Sequence, residues 1–320
     1  MLTSRSTDAA SGAQPPAENI RQFAQVAGRS GYPVLITGET GCGKTHLARA
    51  IHQAGVRAGG AFVRVNCAAI PESLFEREMF GHVKGAFTDA RDGAAGVLEA
   101  AHGGTLFLDE ISEMSLSVQP KLLAVLEDGC FRKLGSSRER AVDVHVIAAT
   151  NRDLAAMVRQ RQFREDLFYR LSVLRIAMPP LRERREELAG LIEHLLSRTA
   201  AGGPEPQLSA EVLDLLLRYD WPGNVRELEN VLRAAWAFAG DRPIQAHHLP
   251  EEVCAGKRVR PPGEAGSDDA RSRYAAPAGL NEEAMILEAL RRHGGNKTRA
   301  AQMLGMSRST LWAKLQKHGA

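Results

Sequence analysis

The chain has 320 residues, of which 44% are hydrophobic and 25% charged, and its formal net charge at pH 7 is +3. This composition is typical of globular proteins and excludes a disordered or fibrous chain, while the length is typical of two or three domains. No apolar run approaches the roughly 20 residues needed to cross a bilayer, which excludes a membrane-spanning protein. The cysteines at positions 42, 67, 130 and 254 form no CxxC pair, which argues against zinc and against a disulfide framework.

The positive charge is concentrated at the C-terminus. Residues 255–320 contain twelve Lys or Arg and six Asp or Glu, so the rest of the chain has a small negative net charge. From Lys297 onward there are five basic residues and no acidic one. This end of the chain is therefore suited to a polyanionic partner.

The first 18 residues are polar and rich in small side chains, and they lack the apolar middle section of a secretory signal. We expect residues 1–18 to form a disordered tail. Without an export signal, the cytoplasm is the expected location of the protein.

Five short apolar runs, rich in β-branched residues, alternate with segments of helical length such as KTHLARAIHQA. This alternation predicts an α/β domain over residues 19–180 with a parallel five-stranded sheet. The predicted strands are VLIT (34–37), FVRV (62–65), TLFL (105–108), VHVIAA (144–149) and VLRIAM (173–178).

The segment GETGCGKT directly follows the first predicted strand and opens a helix, which is the setting that a P-loop requires. Its glycines allow backbone N–H groups to face phosphates, Lys44 can neutralise the outer phosphates, and Thr45 can offer its hydroxyl to Mg²⁺. A plain glycine-rich turn is the alternative. The predicted phosphate-binding residues are Gly38, Glu39, Thr40, Gly41, Cys42, Gly43, Lys44 and Thr45.

Polar side chains also follow three other predicted strands: Asn66, the pair Asp109 and Glu110, and Asn151. Because ligands bind outside the carboxyl ends of parallel strands, these residues should converge on the P-loop. Asp109 is then the magnesium carboxylate, and Glu110 can polarise the attacking water. An exposed acidic pair is the alternative for the carboxylates, and simple strand termination is the alternative for each Asn.

Helical periodicity dominates residues 181–254, which predicts an all-α subdomain. Asn224 is expected to cap one of its helices, with Glu227 closing a capping box. Residues 255–279 are rich in Pro, Gly, Ala and charge, and are predicted to be a flexible linker. Residues 280–320 have the helical pattern of a helix-turn-helix, in which Gly305 ends the second helix.

Motifs over most of the chain resemble those of the AAA+ ATPases that activate bacterial RNA polymerase carrying sigma-54, the enhancer-binding proteins. The likeness runs from about Pro33 to Leu249 and resumes in the last unit. Its markers are GETGCGKT, VNCAAIPESLFEREMFGHVKGAFTDA, GGTLFLDEI, VIAATNRDL, FREDLFYRL, MPPLRERREE and WPGNVRELEN. The resemblance implies an AAA+ P-loop NTPase fold with a helical lid subdomain, and ATP and Mg²⁺ as cofactors.

The aromatic ring of Phe87 lies in a stretch, KGAFTDA, that has neither helical nor strand periodicity. In the family the corresponding loop reads GAFTGA and contacts the sigma factor. Asp89 replaces the second glycine of that motif here. Packing of Phe87 onto its own core is the alternative. The contact residues implied by the resemblance are Gly85, Ala86, Phe87, Thr88, Asp89 and Ala90.

The resemblance also implies roles for five further positions. Asn66 corresponds to the switch that holds Glu110, and Asn151 corresponds to the first sensor. Arg164 and Arg170 match arginine fingers that reach a neighbouring subunit, for which surface ion pairing with Glu165 and Asp166 is the alternative. The position that matches the second sensor is Arg226.

The segment GNKTRAAQMLGMSRSTLWAKL resembles the Fis-type DNA-binding domain. The third helix of this unit would enter the major groove. A three-helix module for protein docking is the alternative. The candidate DNA contacts are Arg308 and Thr310 near base edges, with Thr298, Arg299 and Lys314 near phosphates.

The resemblance implies an ATP-hydrolysing transcription activator that binds upstream DNA, forms a homo-oligomer and acts on the sigma-54 holoenzyme. We expect a dimer in the inactive state and a hexamer in the active one. No receiver or ligand-sensing domain is recognisable ahead of the ATPase, so control by a protein acting in trans, or by expression level, is expected. The alternatives are a DNA-binding regulator or repressor whose ATPase gates assembly without contacting sigma-54, and a general AAA+ remodelling enzyme.

Overall fold

The computed structural model describes residues 17–87, 92–200, 206–240 and 242–255. These described residues divide into two compact units, the first formed by those up to Arg184 with Gly223–Arg226, and the second by those of Arg185–Pro222 and those from Glu227 onward. The predicted helix-turn-helix, with its five candidate DNA contacts, lies outside the described residues. Within the described ranges, no helix has both the length and the apolar character needed to span a membrane.

The first unit contains a parallel sheet of five strands in the order β2-β3-β6-β1-β7, and these strands are the five predicted runs. The helices and strands of the unit are α1 (Ala17–Ser30), β1 (Val34–Thr37), α2 (Lys44–Ala54), β2 (Phe62–Asn66), α3 (Glu72–Phe80), α4 (Val97–Ala100), β3 (Thr105–Asp109), α5 (Gln119–Asp128), β4 (Cys130–Arg132), β5 (Glu139–Ala141), β6 (His145–Thr150), α6 (Leu154–Arg159), α7 (Glu165–Leu171) and β7 (Leu174–Ala177).

Both faces of the sheet are covered, which explains why its strands read as continuous apolar runs. Successive side chains of a strand point to opposite faces. Leu35 therefore joins a core with residues of α3, α5 and α7. Its neighbour Ile36 packs in a second core with residues of α1 and α2. This three-layer arrangement brings the carboxyl ends of β1, β3 and β6 to one edge.

One helix, α1, and one hairpin, formed by β4 and β5, were not predicted in the first unit. Helix α1 packs Ala24 and Ala27 into the second core, with Ile20 and Phe23 against it, so its apolar residues recur at helical spacing and sequence reasoning missed that pattern. Strands β4 and β5 form a separate antiparallel pair of three residues each. Strands this short do not establish a periodicity, and β5 is exposed at every position, so sequence patterning could not identify the pair.

The second unit is helical, as predicted. Its central side chain is Trp221, which is fully buried, packs edge-on against Tyr219 at 5.0 Å and donates its indole N–H to the Leu216 carbonyl. The helices are α8 (Leu188–Ala200), α9 (Ala210–Arg218), α10 (Asn224–Ala239) and α11 (Glu251–Cys254), and α10 begins with residues that cluster with the first unit.

The prediction that Asn224 caps α10 from outside is wrong. Asn224 is the first residue of the helix and has a left-handed backbone, with φ of 56°. Its Oδ1 accepts a hydrogen bond from the backbone N–H of Leu181 at 2.7 Å. The side chain therefore connects separate parts of the first unit instead of serving its own helix.

Acid is expected to destabilise the first unit. Burial lowers the pKa of His145 and of His52, so both imidazoles stay neutral in the folded chain at pH values where the unfolded chain becomes protonated. Because the unfolded state then binds more protons, the free energy of unfolding should fall as the pH drops below the ordinary His value of about 6.5. Urea unfolding midpoints between pH 8 and 5.5 measure this loss. His145→Gln should reduce this loss of unfolding free energy. The control is His46→Gln, at an exposed position, which should not reduce it. A urea midpoint independent of pH would contradict the expectation.

Candidate nucleotide site

The P-loop connects β1 to α2 through a backbone that only glycine adopts readily. Gly38, Gly41 and Gly43 have φ values of 149°, 79° and 107°, all of which are unfavourable for residues with a Cβ. Gly41 also lies against neighbouring backbone, since a Cβ there would come within 2.4 Å of the Gly223 carbonyl oxygen. The loop can therefore direct N–H groups towards an anion at the start of α2.

Lys44 lies at the centre of this loop and is 6% exposed. Its Nζ donates to the carbonyl oxygens of Gly38 and Glu39 at 2.9 and 3.1 Å. The same Nζ is 3.9 Å from Oε1 of Glu110, which makes a long ion pair. The ammonium group is thus held where the loop would receive a phosphate.

The two acidic residues at the end of β3, Asp109 and Glu110, differ in environment. Asp109 is 7% exposed, so the alternative of a plain exposed acidic pair is wrong for this residue. Its Oδ2 accepts a hydrogen bond from Arg64 at 2.6 Å. Glu110 has a left-handed backbone, with φ of 52°, an uncommon conformation that recurs at functional sites. Its Oε2 accepts from the backbone N–H of Asn151 at 3.3 Å.

Asn66 ends β2 and Asn151 follows β6, but of these two residues only Asn151 bonds to the P-loop. Its Nδ2 donates to Oγ1 of Thr40 at 3.0 Å, which joins the loop to Glu110 through one residue. The Asn66 Oδ1 accepts from the backbone N–H of Ala68 at 3.1 Å. No hydrogen bond joins Asn66 to Glu110 in the described part of the chain, and the switch role of Asn66 stays a prediction.

A polar cluster around Glu39 supports the outer side of the loop. Arg182 donates to both carboxylate oxygens at 2.9 and 2.7 Å, and Nδ2 of Asn224 donates to the same carboxylate at 3.1 Å. These hydrogen bonds, first that of Arg182 and then that of Asn224, hold the pKa of Glu39 below its ordinary value. Asn224 also donates to the Thr40 carbonyl at 3.1 Å, and Arg184 donates to the Cys42 carbonyl at 2.6 Å.

Sequence reasoning missed this cluster because its members are 143 and 185 residues apart from Glu39 and no local pattern pairs them. The motifs that contain them, PPLRERREE and PGNVREL, were the available signal. The second motif also brings Arg226 to the loop, since the Arg226 Cβ is 3.1 Å from the Cβ that Gly41 would have.

The remaining loop residues are consistent with phosphate binding. Cys42 is fully buried, and burial raises the pKa of its thiol, so this side chain packs as a small apolar group. Thr45 is half-buried as the second residue of α2. Within the described ranges no three His, Cys, Asp or Glu side chains are grouped as metal ligands. A hydroxyl and one carboxylate suit Mg²⁺, which usually binds through one or two protein groups together with substrate phosphates.

The two predicted arginine fingers lie on or beside α7 and have intramolecular partners. Arg164 is exposed and pairs with Asp166 through Nε at 3.0 Å and Nη2 at 2.6 Å, which lowers the pKa of the Asp166 carboxyl. Arg170 donates two hydrogen bonds, at 3.1 and 3.0 Å, to the Leu126 carbonyl near the end of α5. The expected alternative of ion pairing is therefore seen for Arg164, and a role in a neighbouring subunit stays a prediction for both.

Phe87 is half-buried against its own chain. Its ring centroid is 4.9 Å from that of His82, and the Arg77 guanidinium lies 5.8 Å from the ring. Gly85 and Ala86 precede it, whereas the other predicted sigma contacts, Thr88, Asp89 and Ala90, lie outside the described residues.

Three segments of the chain match known families. Residues 10–177 match the sigma-54 interaction domain, residues 182–265 the AAA+ ATPase lid domain, and residues 281–318 the Fis family of bacterial regulatory proteins. The chain is 45% identical over 294 residues to the regulatory protein AtoC of Escherichia coli, covering 89% of this chain and 62% of AtoC. It is 43% identical over 309 residues to the nitrogen fixation protein VnfA of Azotobacter vinelandii, covering 96% and 58%.

Among solved structures, NtrX from Brucella abortus resembles the chain with a TM-score of 0.69 and 34% identity, covering 95% of this chain and 68% of NtrX. The crystal structures of NtrX include complexes with ADP and with ATP. The chain spans about three fifths of the length of the curated relatives AtoC and VnfA.

Proposed function

The chain belongs to the sigma-54 interaction domain family of AAA+ ATPases, and we propose that it is an ATP-dependent transcription activator that remodels the sigma-54 RNA polymerase holoenzyme. The observation that carries this proposal is the convergence of Lys44, Asp109, Glu110 and Asn151 at one edge of the sheet, in the chain that also contains the Phe87 loop. The match of residues 281–318 to the Fis family supports DNA binding upstream of the promoter.

The proposed hydrolysis assigns separate tasks to the residues at this edge. Lys44 and the N–H groups of the P-loop bind the phosphates of ATP, and Glu110 polarises the attacking water. Thr45 and Asp109 would hold Mg²⁺, which supplies charge neutralisation at the phosphates when bound. Asn151 bonds to both Thr40 and Glu110, so it can keep the water-activating carboxylate in register with the loop.

We further propose that nucleotide turnover moves the Phe87 loop from its place on His82 and Arg77. The ring is only half-buried there, against the side chains of His82 and Arg77, so little packing opposes its release. An exposed aromatic side chain is an effective binding anchor. The released ring would contact the sigma factor, together with Thr88 and the residues around it.

The assembly and its control belong to the same proposal. A dimer would bind upstream DNA through residues 280–320, and a hexamer would hydrolyse ATP, with Arg164 and Arg170 reaching the neighbouring subunit. A regulatory protein acting in trans, or the level of expression, would set the activity. Turnover and promoter activation unaffected by the protein's own concentration and by every cellular partner would contradict this control.

Transcription in vitro tests the function directly. With purified sigma-54 holoenzyme and a promoter carrying an upstream site, transcripts are expected only when both the protein and hydrolysable ATP are present. With sigma-70 holoenzyme, adding the protein should not change the amount of transcript. Activity that is independent of ATP, or repression, would favour the alternative of a DNA-binding regulator whose ATPase gates assembly.

Replacing Phe87 with Ala should abolish activation while ATP turnover stays within about twofold, because the ring contacts His82 and Arg77, which are not P-loop residues, and acts as an anchor. Phe238→Ala, at an exposed position of α10, is the matched control and should activate normally. Equal activation by Phe87→Ala and the native chain would remove the loop from the mechanism.

A further inference from the structure

Arg64 is a charged residue in the middle of β2, between Val63 and Val65. It lies on β2, at the edge of the sheet, opposite Phe107 of β3. Side chains two residues apart on a strand share a face, so Arg64 can reach past Phe107 to Asp109. Its Nη2 is 2.6 Å from Oδ2 of Asp109. The edge strand thus supplies a cation to the carboxylate that is assigned to magnesium.

The two partners of this pair differ in exposure. The Asp109 side chain is 10% exposed, whereas the Arg64 side chain is 41% exposed. A buried carboxylate without a partner is unfavourable, so the guanidinium stabilises Asp109 while no metal is bound. Arg64, in contrast, can turn towards solvent without leaving a buried charge behind. The carboxylate therefore depends on the arginine more than the arginine depends on the carboxylate.

The other cation of the site is also satisfied within the chain. Lys44 donates to carbonyl oxygens of its own loop and lies 3.9 Å from Glu110. The two cations are therefore divided between the two acidic residues, with Lys44 beside Glu110 and Arg64 on Asp109. A divalent cation that arrives at Asp109 meets a positive charge already in place.

We propose that Arg64 is a resident counter-ion that holds Asp109 in the metal-free protein and competes with Mg²⁺ for this carboxylate. The inference rests on the proposed nucleotide function. Mg²⁺ would be held by the same carboxylate, so the guanidinium and the metal would repel one another unless Arg64 moved away. Arg64 thereby raises the Mg²⁺ concentration that nucleotide binding requires.

Binding of a fluorescent, non-hydrolysable ATP analogue, titrated with Mg²⁺, tests the competition. Arg64→Gln should lower the half-saturating Mg²⁺ concentration roughly three- to tenfold, the size expected for a partly exposed charge pair. Nucleotide affinity without Mg²⁺ should change little. Arg64→Lys keeps the charge and should stay near the native value. The matched control is Arg132→Gln, which removes the exposed pair with Glu139 on the β4–β5 hairpin and should have no effect.

Thermal unfolding of the metal-free protein provides a second measurement that does not depend on nucleotide. Arg64→Gln should lower the melting temperature and Asp109→Asn should offset that loss, because the double variant leaves no unpaired charge. A half-saturating Mg²⁺ concentration that rises or stays constant in Arg64→Gln would overturn the competition. If the native protein bound no nucleotide at any Mg²⁺ concentration, the proposed function would fail. Binding of Mn²⁺ to the same variants, measured by electron paramagnetic resonance, would still decide whether Arg64 competes with a metal for Asp109.

Discussion

Glu110→Gln is expected to lower ATP turnover about 10²- to 10⁴-fold, which is the usual contribution of a group that polarises or deprotonates the attacking water. Gln has nearly the same shape as Glu and can still accept the hydrogen bond from the Asn151 backbone N–H. Without the long pair to Glu110, at 3.9 Å, Lys44 keeps its hydrogen bonds to the carbonyl oxygens of Gly38 and Glu39, which hold it in the loop. Nucleotide affinity should therefore remain within about threefold of the native value, so that the loss is confined to the chemical step.

Single-turnover hydrolysis and equilibrium binding of a fluorescent nucleotide separate these two quantities. Glu113→Gln is the matched control, because Glu113 lies three residues further on and pairs with Arg152 on the surface. It should retain native turnover. Loss of binding and turnover together in Glu110→Gln would show that the carboxylate maintains the structure of the P-loop, and would contradict its assignment as the water-activating group.

Arg164→Ala is expected to reduce turnover about 10³- to 10⁵-fold if the guanidinium completes the site of a neighbouring subunit. The exposed pair with Asp166 should contribute little to stability, so the variant should unfold at nearly the native temperature. Arg170 differs, because it donates two hydrogen bonds to the Leu126 carbonyl. Arg170→Ala should therefore lower both turnover and the melting temperature. Turnover and melting temperature of the two variants, measured in parallel, distinguish these effects.

Mixing two inactive variants tests whether Arg164 acts between subunits. Arg164→Ala subunits keep an intact Glu110, and Glu110→Gln subunits keep an intact Arg164, so mixed rings contain some complete sites. Turnover should reappear on mixing and depend on the ratio of the two variants. Arg159→Ala, another exposed arginine with a carboxylate partner, should be active alone. Mixed subunits that stay inactive although they assemble would place the action of Arg164 within its own subunit.

The sheet could be predicted from the sequence because its central strands β3 and β6 are buried at every position and are therefore largely apolar. The edge strands β2 and β7 are more exposed, but each keeps a short run of apolar residues. The P-loop could be predicted because its characteristic glycines and Lys44 all lie within eight consecutive positions, 38–45. The placement of Asp109, Glu110 and Asn151 at the same edge followed from the general geometry of parallel sheets. The β4–β5 hairpin could not be predicted, because its three-residue strands do not establish a periodicity. Helix α1 does carry apolar residues at helical spacing, and that signal was available in the sequence.

The sequence by itself determined the fold class, the P-loop and the strand ends at which chemistry can occur, because local periodicity and short-range spacing encode these features. Only the tertiary structure decided which partners these residues have: Arg64 on Asp109, Arg182 and Asn224 on Glu39, and Asn151 between Thr40 and Glu110. Such pairs join residues from 41 to 185 positions apart. They form because the packing of the sheet and its helices brings these side chains together. No local sequence pattern predicts such long-range pairs.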